Sequence, residues 1–157
     1  MTPSFKFAEK PLADIKADLR VALMWQEAPL AGSARELDGL TAGALGKLLK
    51  AGTVKGSEGE TFLYPLPGNK GFVLLLGLGK QADAKLNTVR AAGGHIVQAA
   101  QKGHFKSVAV TVPDFATTAT LDQDDLALFC QALTEGVVLR DYEFEDLKKS
   151  KDPVWHL

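Results

Sequence analysis

The sequence predicts an α/β fold with a mixed central sheet, because it contains two buried strands, a strand–helix–strand order and a hairpin. Residues 19–25 and 72–76 are nearly continuous in apolar side chains, which suits strands covered on both faces. A helical pattern from about residue 84 to residue 102 follows the second run, and a further strand follows at residues 107–112. This order predicts a βαβ unit over residues 72–112, so part of the sheet should be parallel.

The first helix is predicted directly after the first strand. Ser33 and Glu36 have the spacing of a capping box, in which each side chain hydrogen-bonds the backbone amide near the other residue. Lys47 and Lys50 place positive charge in the last turn, and Gly52 can end the helix. The predicted apolar stripe of this helix is Leu37, Leu40, Ala44 and Leu48.

A hairpin is predicted next, and it makes the sheet mixed. Residues 53–55 and 61–64 are short extended segments on either side of a Gly-Ser-Glu-Gly turn. Pro65 and Pro67 place the end of the second segment at a sheet margin, since proline cannot donate to a strand ladder. A short strand near residues 5–7 is also predicted, and it could pair with the first long strand.

The last predicted helix begins at Asp122, with Asp124 and Asp125 in its first turn. Negative charge there stabilises the helix dipole, so capping is a simpler interpretation of these aspartates than metal binding. Cys130 lies on the apolar stripe and is predicted to be a buried structural cysteine rather than a nucleophile. The stripe consists of Leu126, Phe129, Cys130, Leu133 and Val137.

Composition excludes several classes of function. Lys and Arg total 18 and Asp and Glu total 19, so the formal net charge is -1, and a nucleic-acid partner is not predicted. The single cysteine allows no intrachain disulfide, which favours a reducing, cytoplasmic location. No apolar run has the length of a signal peptide or a membrane span, so no membrane partner is expected.

A glycine pattern follows the second long strand. Residues 77–82 match the dinucleotide-binding fingerprint, but the acidic residue expected about 20 positions later is missing. A tight strand-to-helix turn, in which glycines let two backbones approach, is therefore favoured. The alternative is a ligand loop formed by Gly77, Gly79 and Lys80.

No catalytic constellation is predicted. His95 has Ala91 and Ala99 one helical turn away, where a metal site would need a second ligand. No serine lies in a nucleophile-elbow pattern. Gly93 and Gly94 each cost a helix about 1 kcal/mol, which indicates a close neighbour. The chain's own sheet is the expected neighbour, and a partner subunit is the alternative.

Three stretches, in order, carry a family resemblance that covers nearly the whole chain. Residues 72–80 resemble a strand-and-turn element ending in Gly-Leu-Gly-Lys. Residues 87–94 resemble the helix that follows it, and residues 135–148 resemble the end of the same domain. Together they are similar to the N-terminal domain of the leucyl (cytosol) aminopeptidase family of metallopeptidases.

This resemblance implies a macro-domain-like, three-layer α/β/α fold with a mixed central sheet over residues 1–147. Residues 148–157 would begin a linker toward a catalytic domain outside this chain. In the family that second domain binds two divalent metals, zinc or manganese, and releases N-terminal amino acids from peptides. Its Asn-Thr-Asp-Ala-Glu-Gly-Arg-Leu signature has no counterpart here, so no catalytic residue, metal ligand or cofactor is assigned to this chain.

The function implied by the resemblance is non-catalytic. The chain would assemble and position the catalytic domain of the same polypeptide, and it would self-associate, as family members form hexamers. The alternative is a stand-alone macro-like module that binds ADP-ribose or another nucleotide, with Gly77, Gly79 and Lys80 next to its phosphate. DNA binding, known for some relatives, receives no support from the near-neutral charge.

Overall fold

A four-stranded mixed sheet between two layers of helices forms the part of the chain that the computed structural model describes, residues 11–115 and 123–150. The strands, placed in the order β2-β3-β1-β4, are β1 (Leu19–Gln26), β2 (Thr61–Pro65), β3 (Phe72–Lys80) and β4 (Val108–Ala109). The helices are α1 (Gly32–Leu40), α2 (Ala44–Lys50), α3 (Leu86–Lys102) and α4 (Gln123–Ser150). Short 3-10 turns occupy Leu12–Asp14, Pro67–Asn69, Gln81–Asp83 and Val112–Phe115.

The sheet is parallel at its centre and antiparallel at one edge. β1 pairs in parallel with β3, from Leu19 opposite Phe72 to Met24 opposite Gly77, and also with β4. β2 pairs antiparallel with β3 and forms the edge, as Pro65 predicts. The parallel direction expected of the βαβ unit is confirmed, although β1 lies between β3 and β4.

The alternating side chains of the central strands build two cores. Leu19, Val21 and Leu23 lie on the face covered by α3 and α4, while Ala22 and Met24 lie on the face covered by α1 and α2. The predicted double covering is confirmed, and the architecture has three layers.

Arg20 is the polar exception within β1, with 8% of its surface exposed. Its guanidinium donates to the carbonyl oxygens of Ile15, at 2.6 Å, and Lys70, at 3.1 Å. Two loops at the amino-terminal end of the sheet are thereby joined. A buried charged group requires such partners, because burying it without hydrogen bonds costs several kcal/mol.

The predicted capping box is wrong. Helix α1 begins at Gly32 with Ala31 as its N-cap, and no side chain caps it. Ser33 lies inside the helix, and the Glu36 carboxylate accepts a 2.7 Å hydrogen bond from the Ala13 amide. A long-range contact to the preceding 3-10 turn has therefore replaced the local bond that the sequence spacing suggests.

The prediction of one continuous first helix is also wrong, because this segment forms two helices, α1 and α2. Ala42 and Gly43 have positive φ angles of 56° and 82°, which end one helix and redirect the next. The redirection lets both Leu37 and Leu45 become fully buried, whereas Leu40 stays 39% exposed. The predicted continuous stripe is therefore not present.

The expected hairpin has a different partner. Residues 53–55 are not a strand, and Val54 is buried in the core beside α2. β2 instead pairs with β3 after a turn in which the Leu66 amide donates to the Gly71 carbonyl at 2.8 Å. The sheet is mixed, as predicted, but its antiparallel pair is β2 with β3 rather than β2 with residues 53–55.

Several boundaries differ from the prediction. α3 begins at Leu86 rather than near residue 84 and ends before Gly103, as expected. β4 is shorter than the predicted strand at residues 107–112. The predicted strand near residues 5–7 and the predicted N-cap Asp122 lie outside the described residues, as do the side chains of Asp124 and Asp125.

Helices α3 and α4 cross at glycines. A Cβ on Gly93 would lie 2.6 Å from the Leu133 carbonyl oxygen, and one on Gly136 would overlap the Arg90 carbonyl oxygen. The expectation that the sheet contacts Gly93 is wrong, because α4 occupies that side. The reason is that α4 supplies its own glycine, so the two backbones can meet directly.

Candidate functional site

The glycine pattern lies within a strand rather than in a turn after it. Gly77, Gly79 and Lys80 belong to β3, whose ladder with β1 extends to the pair Gln26–Lys80. The prediction of a strand-to-helix turn at these glycines is wrong, because a 3-10 turn at Gln81–Asp83 makes that connection. We name this end of β3, together with the loop at residues 56–60, the β3 terminus.

Backbone hydrogen bonds extend the ladder at the β3 terminus. The Gly59 amide donates to the Gly77 carbonyl at 3.1 Å, and the Gly79 amide donates to the Gly56 carbonyl at 3.0 Å. The Gly77 amide donates to the Glu60 carbonyl at 2.8 Å. The amide groups of Gly77 and Gly79 therefore bond to the loop and not to an open cavity.

The glycines are needed because the loop lies against the strand. A Cβ on Gly77 would overlap the carbonyl oxygen of Ser57, and Gly79 has a φ of 84°, which L side chains rarely adopt. A Cβ on Gly56 would in turn lie 2.9 Å from the Trp25 carbonyl oxygen. The close backbone approach expected of the glycine pattern is thus present, between β3 and the loop.

A carboxylate of the chain occupies the amide-lined concavity of the loop. One oxygen of Glu60, Oε1, accepts hydrogen bonds from the amides of Lys55 at 2.9 Å, Gly56 at 2.8 Å and Ser57 at 3.3 Å. Successive amides of this kind bind anions in many proteins. Here the anion at the amides is the chain's own Glu60 carboxylate.

Two shallow cavities flank Gln26 at the carboxyl end of the parallel strands. The first, of about 220 Å³, has Gly79 and Lys80 in its lining but not Gly77. The charged side chains that line it are Glu58, Asp83 and Lys80, so carboxylates outnumber the ammonium. The second, of about 350 Å³, is lined by Gln26, Glu27, Ala28, Leu49, Val54 and Lys55.

Glu27, which lines the second cavity, has a strained backbone. Its φ is 60°, which is uncommon for a residue with a side chain. The sequence shows no sign of this conformation, because no glycine stands at position 27. Glu60 was missed as well, although Gly56 and Gly59 on one side of it indicated a turn whose amides need an acceptor.

The histidines and the cysteine of the described residues, 11–115 and 123–150, form neither a metal site nor a reactive thiol. No group of three or more His, Cys, Asp or Glu side chains in that part of the chain could hold a metal ion. His95 packs beneath the loop, with its Nε2 3.2 Å from the Cβ that Gly59 would carry. Burial raises the pKa of the Cys130 thiol, which favours the unreactive protonated form.

Comparison with known proteins establishes the family. Residues 21–151 match the model of the cytosol aminopeptidase family, N-terminal domain. The chain belongs to this family. A probable cytosol aminopeptidase of Sulfurihydrogenibium sp. (strain YO3AOP1) is 26% identical over 147 residues, which are 91% of this chain and 28% of that protein. The chain thus spans about a quarter of the length of the curated relatives it matches.

Solved structures share the fold. A mutant of tomato leucine aminopeptidase superposes with a TM-score of 0.66 at 20% identity, over 85% of this chain and 27% of that chain. The macrodomain of Mycobacterium tuberculosis DarG superposes with a TM-score of 0.61 at 17% identity, over 84% of this chain and 90% of that chain. The predicted macro-domain-like α/β fold is confirmed.

Within the described residues, no helix has the length and apolar character needed to cross a membrane.

Proposed function

We propose that this chain is the non-catalytic N-terminal domain of an aminopeptidase. It assembles and positions a catalytic domain of the same polypeptide, which releases N-terminal amino acids from peptides. The observation that carries the proposal is the match of residues 21–151 to the N-terminal domain of the cytosol aminopeptidase family. The relatives are more than three times as long as this chain, which leaves room in them for a separate catalytic domain.

The chemistry of the described side chains supports this division of labour. A metallopeptidase needs metal ligands and an open coordination position for water. The carboxylates that line the first cavity, Glu58 and Asp83, share it with Lys80, and the second cavity has Glu27 together with Lys55. These residues do not fit a site for two divalent metals, so no catalytic step is derived for this chain. The zinc or manganese ions belong, in this proposal, to the other domain.

The proposed location is the cytoplasm. The relatives are named cytosol aminopeptidases, and the single cysteine agrees with a reducing compartment. The proposed boundaries are a domain over residues 1–147 and the start of a linker at residues 148–157.

Incubation of the purified chain with leucine p-nitroanilide and Mn²⁺ or Zn²⁺ tests the proposal. The expected release of nitroaniline equals that of the buffer with metal alone. A rate that scales with the concentration of the chain and disappears with EDTA would contradict a non-catalytic role. If such a rate were seen, the Glu58→Gln and Asp83→Asn variants would show whether the first cavity is its source. Each variant removes one acidic side chain from that cavity without changing the size of the side chain.

The second candidate is a macro-like module that binds ADP-ribose or another nucleotide. The first cavity favours it, since this cavity lies at the carboxyl end of parallel strands, where α/β proteins bind ligands, and is lined by Gly79 and Lys80. Against it, Glu60 already occupies the loop amides. Calorimetric titration with ADP-ribose is expected to show no heat of binding. Saturable heat that is lost in Lys80→Ala would favour this candidate instead.

A further inference from the structure

The carboxyl ends of β1 and β3 lie side by side, but the helices that follow these strands lie on opposite faces of the sheet. After β1 the chain enters α1 on one face, and after β3 it enters α3 on the other. Neighbouring parallel strands of this kind leave a crevice at their carboxyl ends, where α/β proteins bind ligands. The strand pair Gln26–Lys80 lies at this crevice, and Gln26 lines both shallow cavities.

The second cavity combines an apolar wall with two opposite charges. Ala28, Leu49 and Val54 form the apolar part of its lining, and Glu27 and Lys55 are its charged residues. Its volume of about 350 Å³ lies within the range of small-molecule sites, roughly 300–1,000 Å³, whereas the first cavity is smaller. A mainly apolar lining with a few polar groups is also typical of such sites.

The two charges of the second cavity do not neutralise each other. Within the described part of the chain, no ion pair joins Glu27 to Lys55, and both residues are exposed. The backbone of Lys55 is held in place, because its amide donates to Glu60 Oε1 at 2.9 Å. A carboxylate and an ammonium that line one cavity without contacting each other are both available to a ligand.

The backbone of Glu27 is strained at the edge of the second cavity. Its φ of 60° is uncommon for a residue with a side chain, and glycine adopts it without cost. Strained backbone is concentrated at ligand sites, where it persists because the position of a side chain matters more than the local energy. The strain therefore favours a binding role for the Glu27 carboxylate.

We propose that the second cavity binds a free α-amino acid with an apolar side chain. The ammonium of the ligand lies against the Glu27 carboxylate, and its carboxylate lies against the Lys55 ammonium. Its side chain packs on Leu49 and Val54. The inference goes beyond the proposed function, because binding requires neither a metal ion nor a catalytic domain. A nucleotide fits this cavity less well, since its phosphates would lie near Glu27.

Titration of the isotope-labelled 157-residue chain with L-leucine, followed by amide NMR spectra in the presence of EDTA, gives the first test. Saturable shifts are expected for the amides of Gln26, Glu27 and Lys55. The expected dissociation constant is on the order of 1 mM, because a small ligand in an open cavity makes few contacts. No saturable shift at ten times that concentration, or shifts confined to residues 78–83 of the first cavity, would overturn the proposal.

Three analogues test which parts of the ligand are recognised. L-leucinamide lacks the carboxylate, isocaproate lacks the ammonium, and glycine lacks the apolar side chain. Each should bind at least tenfold more weakly than L-leucine, because each loses one of the three complementary contacts. Equal binding of L-leucinamide would show that an amine is sufficient, and equal binding of isocaproate that an acid is sufficient. Either result would contradict a site for amino acids.

Substitutions test the two charged residues. Glu27→Gln and Lys55→Gln should each weaken L-leucine binding at least fivefold. Asp14→Asn and Lys50→Gln are the matched controls, since both residues are exposed, lie outside the lining and lose the same charge. Unchanged binding in both cavity variants, or equal weakening in the controls, would count against the proposal.

The Glu27→Gly variant separates binding from folding. Glycine suits the φ of 60°, so the melting temperature should stay the same or rise. Binding of L-leucine should nevertheless be lost, because the carboxylate is gone. Retained binding in this folded variant would overturn the proposal.

The two proposals fail in different experiments. Metal-dependent hydrolysis of peptides by the chain would contradict the non-catalytic function, but it would not affect a titration with a free amino acid in EDTA. A titration without shifts would remove the amino-acid site and leave the hydrolysis result as it stands.

Discussion

The β3 terminus and the crossing of α3 with α4 are built on the same physical requirement. At the first, the Ser57 carbonyl leaves no room for a Cβ on Gly77. At the second, the Arg90 carbonyl leaves no room for a Cβ on Gly136. The first borders a shallow cavity, whereas the second is a contact between two helices. In both places the glycines serve backbone packing, even though only the first resembles a phosphate-binding pattern in sequence.

The largest loss of folding stability is expected from a substitution at the crossing of α3 with α4. Gly136→Ala should destabilise the protein by about 3 kcal/mol, because the new methyl group overlaps a backbone atom that cannot move without separating the helices. Gly94→Ala is the control in the adjacent helix, where a Cβ would meet nothing within 4 Å. It should stabilise the protein by about 0.5–1 kcal/mol, because alanine is the better helix former. Urea unfolding measures both, and equal effects would show that the crossing is not tightly packed.

The second-largest loss of folding stability is expected from a substitution at the β3 terminus. Gly77→Ala should cost about 2 kcal/mol, less than Gly136→Ala, because the loop at residues 56–60 can shift more easily than a helix. The matched control is Gly39→Ala in α1, which has open space around its Cβ position and should not destabilise. Urea unfolding of the two variants makes the comparison. A neutral Gly77→Ala variant would show that the loop does not lie against β3 in solution.

A smaller effect is expected from the carboxylate that fills the loop. Glu60→Gln should cost about 1 kcal/mol, because its neutral oxygen accepts the amides of Lys55 and Gly56 more weakly than a carboxylate does. Glu58→Gln, on the same loop, is the control and should be nearly neutral. Thermal unfolding distinguishes them. If Glu60→Gln also created binding of inorganic phosphate, the loop would be a ligand site that Glu60 normally blocks.

The smallest effect concerns Glu135 at the helix crossing. The hydrogen bond from Arg90, with a second from Gln131, lowers the pKa of the Glu135 carboxyl below its usual range. A carboxyl whose pKa is lower in the folded state adds stability above its unfolded pKa and loses it as the pH falls through the folded value. The difference in stability between the wild type and Glu135→Gln should therefore be small at neutral pH and disappear in acid. A difference that grows as the pH falls would contradict the pairing with Arg90.

The sequence predicted the layers better than the connections. The apolar runs at β1 and β3 identified the central strands, because burial on both faces leaves no polar alternation. The capping box at Ser33 failed because Glu36 bonds to Ala13, a partner 23 residues away that local spacing cannot reveal. The break at Gly43 was missed for a similar reason, since it is set by the need to bury Leu45.

The candidate site was predicted in composition but not in geometry. The glycines of the pattern indicated a close backbone approach, yet which segment approaches depends on the tertiary fold. The sequence could not show that the Ser57 carbonyl lies over Gly77, or that Glu60 fills the amides of the loop. The contact of Gly93 with α4 was assigned to the sheet because helix–helix crossings depend on both partners.

The proposed function requires that the metal chemistry of the family lie outside this chain. Native mass spectrometry of the chain after equilibration with Mn²⁺ or Zn²⁺, followed by dialysis, tests this claim most directly. The predicted spectrum shows the mass of the chain without added metal. A species that retains two metal ions per chain would contradict the claim.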